Sequence, residues 1–319
     1  MNGYSIHKLK INEFELLIPL IKNCFGMDVD IHYFEWKFLK NPVGFVEGYY
    51  AKSSNGDIAA YYGVIPQLYS IVGKERIIYQ SCDTMTHSEH RRKGLFQKLA
   101  NHCYEELKKS GNLFVIGFSG EQSTPGFIKF GWKNVFTIRN YFFPKLLQTF
   151  FSSKSESVTI IENTKSIEHL TIKSNSNTTI HSVKRADIYQ WRISNPLSKY
   201  TVIGTKGNND QYDSYLTFIR QEKKIILFDL HITDKKSERD LFNYLISQIK
   251  KNHLGIIAFT QGNTDLSKLL RKRWFMINPF PFGPLSKSTP FIFLAENHEL
   301  INYNHSEKWC VNAYDHDSM

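Results

Sequence analysis

The sequence predicts a mixed α/β protein of the α+β kind, built as two domains that are each a mostly antiparallel twisted sheet flanked by helices. Three observations predict it. Residues 78–118 read as strand, basic turn, amphipathic helix and buried strand; a run of strands joined by tight turns leads into them; and after a polar stretch the same order of elements returns. At 319 residues the chain exceeds one typical domain, so two are expected.

In chain order, Phe14, Leu17, Ile18, Ile21 and Phe25 fall on one helical stripe, predicting a first helix over 11–25. Residues 32–42 form an aromatic helix stopped by Asn41-Pro42. Residues 48–51, 58–64, 69–72 and 75–85 read as successive antiparallel strands, with turns at Asn55-Gly56 and Val72-Gly73. Leu95, Phe96, Leu99, Ala100, Cys103, Tyr104 and Leu107 then make one apolar face of a helix that ends at Lys108, Lys109 and Gly111. Residues 113–118 are continuously apolar, the mark of a strand buried on both faces. A short helix over 123–130 ends in Gly131-Trp132, and a strand at 135–139 continues the sheet.

Composition shifts at 152–179, which is rich in Ser, Lys, Asn and Thr and loosest at 174–177. The expected division is a first domain over 1–150, an irregular linker over 151–180 and a second domain over 181–319. The second half echoes the first. Trp191-Arg192 and Asn195-Pro196 repeat Trp36-Lys37 and Asn41-Pro42 with one residue deleted; strands at 215–220 and 225–231, a helix at 238–251, a buried strand at 254–260 and a helix at 266–274 follow in the earlier order. The tail from Asn302 is polar and carries no signal.

A net charge of +10 suits anionic ligands. Lys and Arg are scattered, without a basic helix interleaved with aromatics, which argues against nucleic acid as a partner. Cys24, Cys82, Cys103 and Cys310 are too widely spaced for a zinc site or a disulfide framework, so reduced thiols and a cytoplasmic location are expected, with no metal. Residues 142–151 are strongly apolar but too short to span a bilayer, and read as a packing segment or lid.

Arg91, Arg92 and Lys93 stand at the start of a helix, where partial positive charge makes each cation cost about a few tenths of a kcal/mol. An anion resolves the conflict; a solvated basic turn is the other reading. Backbone N–H groups opened to close approach by Gly94 and ringed by cations suit a phosphate or pyrophosphate. The counterpart corner, Thr233-Asp234 through Arg239, has acids and no glycine, a charge pattern that favours the helix dipole without any ligand.

Arg91-x-x-Gly94 between two strands, followed by the short helix 123–132, resembles the acetyl-CoA-binding core of the GNAT acyltransferase superfamily. The resemblance is close over roughly a third of the chain. It implies a tandem protein whose C-terminal copy is degenerate, with the N-terminal copy moving an acetyl group from acetyl-CoA to a primary amine of a small molecule, such as a nucleotide-linked amino sugar. It also leaves open a carrier-protein donor and a catalytically inactive CoA sensor or assembly partner, as monomer or homodimer. Carried onto this sequence, cofactor contacts fall to Met85, Thr86, Arg91, Arg92, Lys93, Gly94, Leu95, Phe96, Ser123 and Phe127. Phe96 takes a position that is small in the family and is expected to crowd the loop; Phe127 takes that of the usual proton-donating Tyr, leaving Ser123, Thr124 or water to protonate the thiolate.

For the base, Asp83 beside the presumed thioester is the first choice, with a structural carboxylate held by a nearby cation as the other reading. Glu35 is a second candidate from the acceptor side, and Tyr33, Phe34 and Trp36 are candidates for stacking on an acceptor.

Overall fold

The structure is a computed structural model that describes residues 3–120, 123–151, 157–161, 170, 180–207, 211–262, 264–277 and 289–317. It divides into two compact units. The first comprises Met1–Val135 with Asn195–Leu197 and Phe291–His305; the second comprises Phe136–Ser194, Ser198–Pro290 and Ser306–Met319.

The first unit opens with β1 (Tyr4–Lys8), a 3-10 segment (Ile11–Leu17) and α1 (Ile18–Phe25). The single helix expected over 11–25 is interrupted because Pro19, at the start of α1, has no N–H to continue a ladder from the preceding turn. As a result Leu20 and Ile21 are buried and Phe25 is exposed, unlike the expected stripe. Next, α2 (Ile31–Phe34), capped by the Asp30 carboxylate on the His32 N–H, runs into a π-helical turn (Glu35–Leu39). The strands β2 (Glu47–Ser53), β3 (Ile58–Ile71) and β4 (Lys74–Thr86) form an antiparallel meander. β3 is one strand of 14 residues where two were expected, carried through Pro66 past Val64, its last residue paired with β2. Val72 and Gly73 both have positive φ, the geometry of the tight turn that joins β3 to β4.

α3 (Leu95–Lys109) and β5 (Phe114–Phe118) follow as expected, then α4 (Thr124–Lys129). α3 lays its buried face, Leu95, Leu99, Ala100, Cys103, Tyr104 and Leu107, into a cluster with Ala51, Tyr62, Val64, Val115, Phe127 and Trp132. The sheet order is β1-β2-β3-β4-β5, completed by the strand Thr289–Ala295, which pairs antiparallel with β5 from Phe118↔Phe291 to Phe114↔Ala295.

That last strand corrects the sequence reading, which gave everything after 181 to the second domain. The strand expected at 135–139 is present within β6 (Lys133–Pro144), which follows Thr289–Ala295 in the strand order and pairs through residues 139–144 with a strand of the second unit. Each unit thus takes a strand from the other half of the sequence, and the division falls at 135/136 rather than near 150.

In the second unit β7 (Val158–Ile161), β8 (Ile180–Ser182), α5 (Ala186–Ile193), β9 (Tyr200–Lys206), β10 (Tyr212–Arg220), β11 (Lys224–His231), α6 (Lys235–Ser247), β12 (Gly255–Thr260), α7 (Asp265–Lys272) and β13 (Met276–Ile277) appear in order. Its sheet runs β6-β12-β11-β10-β9-β7, with β11 and β12 parallel, just as β4 and β5 are parallel in the first. β7 pairs with β9, so part of the expected linker is a strand, while its loosest point at 174–177 lies outside the described residues. The tail is packed rather than loose: Trp309 and Val311 are fully buried, and the Gln261 side chain bridges the backbone at Ser306, Trp309 and Val311. Two apolar residues two apart in a polar tail give too weak a pattern to show this.

Candidate active site

β4 and β5 are paired only at Tyr79↔Val115 and Gln80↔Ile116, although β4 runs on to Thr86 and β5 to Phe118. Among the described residues the two strands therefore part beyond that point. β4 is also bulged there. Cys82 faces Gly63 and Met85 faces Tyr61, so Asp83 and Thr84 together oppose Tyr62 alone. Asp83 has φ 45, a left-handed conformation that costs most L residues about 1–2 kcal/mol and Asp less. The bulge takes Asp83 and Thr84 out of the regular ladder and shifts the register of Met85 and Thr86, which pair beyond it with Tyr61 and Ala60. Met85 is buried, and the Thr86 carbonyl accepts from Arg91 Nε at 3.4 Å.

Beyond Thr86 the chain makes a short 3-10 turn (Ser88–His90) and then Arg91, Arg92, Lys93 and Gly94, all exposed. Arg92 (φ 62) and Gly94 (φ 70) are left-handed, and Gly94 is the N-cap of α3. No side chain caps that helix and its first turn holds no acid, so no carboxylate of its own offsets the partial positive charge there. Lys93 Nζ donates to the Tyr4 hydroxyl at 3.0 Å, which also meets His90 Nδ1 at 2.8 Å, tying the corner to β1. The corner carries three exposed cations before a helix start without a side-chain cap. Leu95 turns away from it into the core.

Asp83 is not a lone desolvated carboxylate. Lys37 Nζ, on a side chain with no exposure, lies 2.9 Å from it, and Tyr33 donates its hydroxyl to Asp83 Oδ1 at 3.2 Å. Lys37 also reaches the Tyr33 oxygen at 3.1 Å, as residues four apart on a helix do. Asp83 thus has the nearby cation that its structural reading requires. Lys37 is the residue that sequence reasoning passed over. The signal was there, in a cation set inside an aromatic helix and echoed by Arg192.

On the acceptor side, Glu35 is bound to Lys40 at 2.9 Å and His32 at 3.4 Å, and the Lys40 hydrogen bond holds its carboxyl below the usual range. Tyr33, Phe34 and Trp36, expected to stack on an acceptor, are buried, Trp36 with its ring near Tyr33. These aromatics fill the core because the short helix has no other apolar face to offer.

Phe96 does not crowd the corner. Its ring turns inward onto Tyr62, Phe127 and Phe130, with centroids 5.5, 5.0 and 5.4 Å away. Phe127 is buried between Phe96 and Trp132. A hydroxyl is present nearby, on Tyr62, but it is held by Tyr104 at 2.8 Å, which in turn accepts from Trp132 Nε1 at 3.1 Å. Ser123, at the start of α4, is exposed and donates to the Gly120 carbonyl at 3.1 Å; Thr124 meets both Gly120 and Ser119 at 2.8 Å. Among the described residues no group of three or more His, Cys, Asp and Glu side chains is placed to hold a metal ion.

The second unit repeats the strand geometry. β11 is bulged at Phe228, between Leu227↔Phe218 and Asp229↔Thr217, and buried Asp229 is held by Lys184 and by the Tyr215 hydroxyl at 3.0 Å. At its helix start the Asp234 carboxylate accepts from the N–H groups of Lys236 and Ser237 at 2.8 and 2.9 Å and from the Ser237 hydroxyl. The donors that stay open at α3 are filled here by the chain itself.

A bulged strand, a parting between parallel neighbours and a cationic helix start at its end come together in the first unit. Residues 5–135 match the acetyltransferase (GNAT) domain family. The fold of the chain is similar to that of a probable N-acyltransferase from Enterococcus faecalis V583 (10% identity, 92% of this chain and 72% of that one, TM-score 0.67). It is likewise similar to a GCN5-related N-acetyltransferase from Kribbella flavida (9% identity, 95% and 73%, TM-score 0.67). A third similar fold is the Saccharomyces cerevisiae N-myristoyltransferase with bound myristoyl-CoA (12% identity, 92% and 79%, TM-score 0.62). These likenesses cover nearly all of the chain, so the fold of both units is accounted for. No curated protein matches the sequence.

Proposed function

We infer that the first unit transfers an acetyl group from acetyl-CoA to a primary amine of a small molecule, and that the second unit is a copy whose cofactor corner has closed. One observation carries this reading: the same strand–turn–helix corner is capped by its own carboxylate at Asp234 and left open, glycine-led and cationic at Gly94. In this reading Arg91, Arg92, Lys93 and the amides that follow Gly94 hold the cofactor pyrophosphate, the segment Thr84 to Thr86 borders the pantetheine and thioester, and Ser123 returns a proton to the departing thiolate. A basic chain acting on an anionic acceptor, such as a nucleotide-linked amino sugar in the cytoplasm, is consistent with the net charge of +10.

The test is release of free thiol from acetyl-CoA against a panel of amines, alongside direct titration with CoA. Turnover with at least one amine supports the reading; failure to bind CoA contradicts it. Phe127, which has no hydroxyl to donate, favours a second reading in which the unit binds CoA without turnover and serves as a sensor or assembly partner. Binding without thiol release across the panel would select that one.

A further inference from the structure

The unusual feature of β4 is that its left-handed residue is not glycine. A bulge with its first residue in this conformation ordinarily carries glycine there. Here the position is Asp83, φ 45, and its carboxylate is drawn to a buried ammonium, Lys37 Nζ at 2.9 Å, with the Tyr33 hydroxyl beside it at 3.2 Å. Lys37 comes from the π-helical turn, a rare element that sets the direction of the side chains on it. The second unit holds Asp229, next to its own bulge, by Lys184 and Tyr215, yet neither Phe228 nor Asp229 is among the non-glycine residues with positive φ. An Asp–Lys–Tyr group thus recurs where no anion corner is open, which separates it from proton transfer. In the first unit alone it is coupled to a strained backbone.

We propose that Lys37 is a positioning residue for the transfer reaction: by holding the Asp83 carboxylate it fixes the left-handed bulge of β4, and with it the direction of Thr84, Met85 and Thr86 along the gap where β4 and β5 part. This rests on the acyl-CoA reading given above. Removing the clamp lets β4 relax towards a regular ladder and moves those backbone groups away from the donor thioester. The consequence falls on the rate more than on cofactor affinity, because the anion corner is tied to β1 through Lys93 and meets the clamped strand only through the long Arg91 Nε contact to the Thr86 carbonyl at 3.4 Å.

Glycine supplies the test, since it adopts the left-handed conformation unaided. Three variants are compared for kcat, for KM of acetyl-CoA and for CoA affinity by calorimetry: Lys37→Met, Asp83→Gly and the two together. Lys37→Met is expected to lower kcat by about tenfold or more with CoA affinity nearly unchanged. Asp83→Gly and the double variant are expected to keep kcat within about threefold of the parent, because glycine holds the bulge without a clamp. Where Lys37→Met fails to fold, with a buried carboxylate left unpaired, the double variant decides alone. An inactive Asp83→Gly protein that still binds CoA overturns the proposal and returns Asp83 to the chemistry; a fully active Lys37→Met protein overturns it as well. If the parent neither binds CoA nor turns over, the acyl-CoA reading has failed instead, and amide exchange at Met85 and Thr86 in the same variants tests the clamp by itself: faster exchange in Lys37→Met, restored in the double variant, supports it, and no change overturns it.

Discussion

The corner between Thr86 and Leu95 and the corner between His231 and Lys235 are built on the same plan. In each, a bulged strand with a buried Asp–Lys–Tyr group leads into a helix that crosses to a parallel strand. They part at the first helical turn. The second corner spends its amides on Asp234, whose carboxylate is held below its usual range by the Ser237 hydroxyl and by the Ser237 and Lys236 amides. The first leaves them open behind Gly94 and surrounds them with Arg91, Arg92 and Lys93. One fold therefore serves as a scaffold or as an anion site according to a few residues at a helix start.

The sharpest way to break the comparison is to turn the first corner into the second. Gly94→Asp adds a carboxylate at the mouth and a side chain at φ 70, although nothing stands within 4 Å of the added Cβ. CoA affinity measured by calorimetry should fall by about a hundredfold, as charge-assisted bonds give way to repulsion, with the fold retained. Next in size, neutralising Arg91, Arg92 and Lys93 together should weaken CoA binding by about tenfold and flatten its dependence on ionic strength. Ser123→Ala should lower kcat by about two- to threefold in thiol-release assays if Ser123 protonates the thiolate, without moving CoA affinity.

The smallest effect on the cofactor belongs to the second corner. Asp234→Ala should leave CoA binding unchanged and cost about 1 kcal/mol of stability in denaturant titrations at neutral pH, the usual value of a lost N-cap. The sign of its pH dependence follows from the lowered carboxyl: the cap contributes fully above the unfolded carboxylate range near pH 4, and is lost as pH falls through the lower folded value. The gap between parent and variant should close in acid.

Much of this was legible in the sequence because it depends on local chemistry. The helix stripe from Leu95 to Leu107, the apolar run of β5, the cations before Gly94 and the acids near Asp234 are all stated by neighbouring residues. The echo of Trp36-Lys37 and Asn41-Pro42 in Trp191-Arg192 and Asn195-Pro196 proves structural too: both tryptophans are buried and both Asn side chains cap the N–H two residues on, at 3.0 and 2.9 Å. What escaped was long-range. A strand's pattern does not say which strand it joins, so the crossed placement of β6 and the strand Thr289–Ala295 was invisible. Nor does a pattern distinguish a desolvated base from a clamped one: Asp83 was conspicuous as a carboxylate in an apolar strand, and only the fold brings Lys37 to it.

The account depends most on where an anionic cofactor settles. A crystal structure with coenzyme A measures that directly. The account predicts the pyrophosphate on the amides that follow Gly94, flanked by Arg91, Arg92 and Lys93, with the pantetheine running into the gap beside Thr84 to Thr86. A cofactor bound at the Asp234 helix start, or away from both corners, would contradict it.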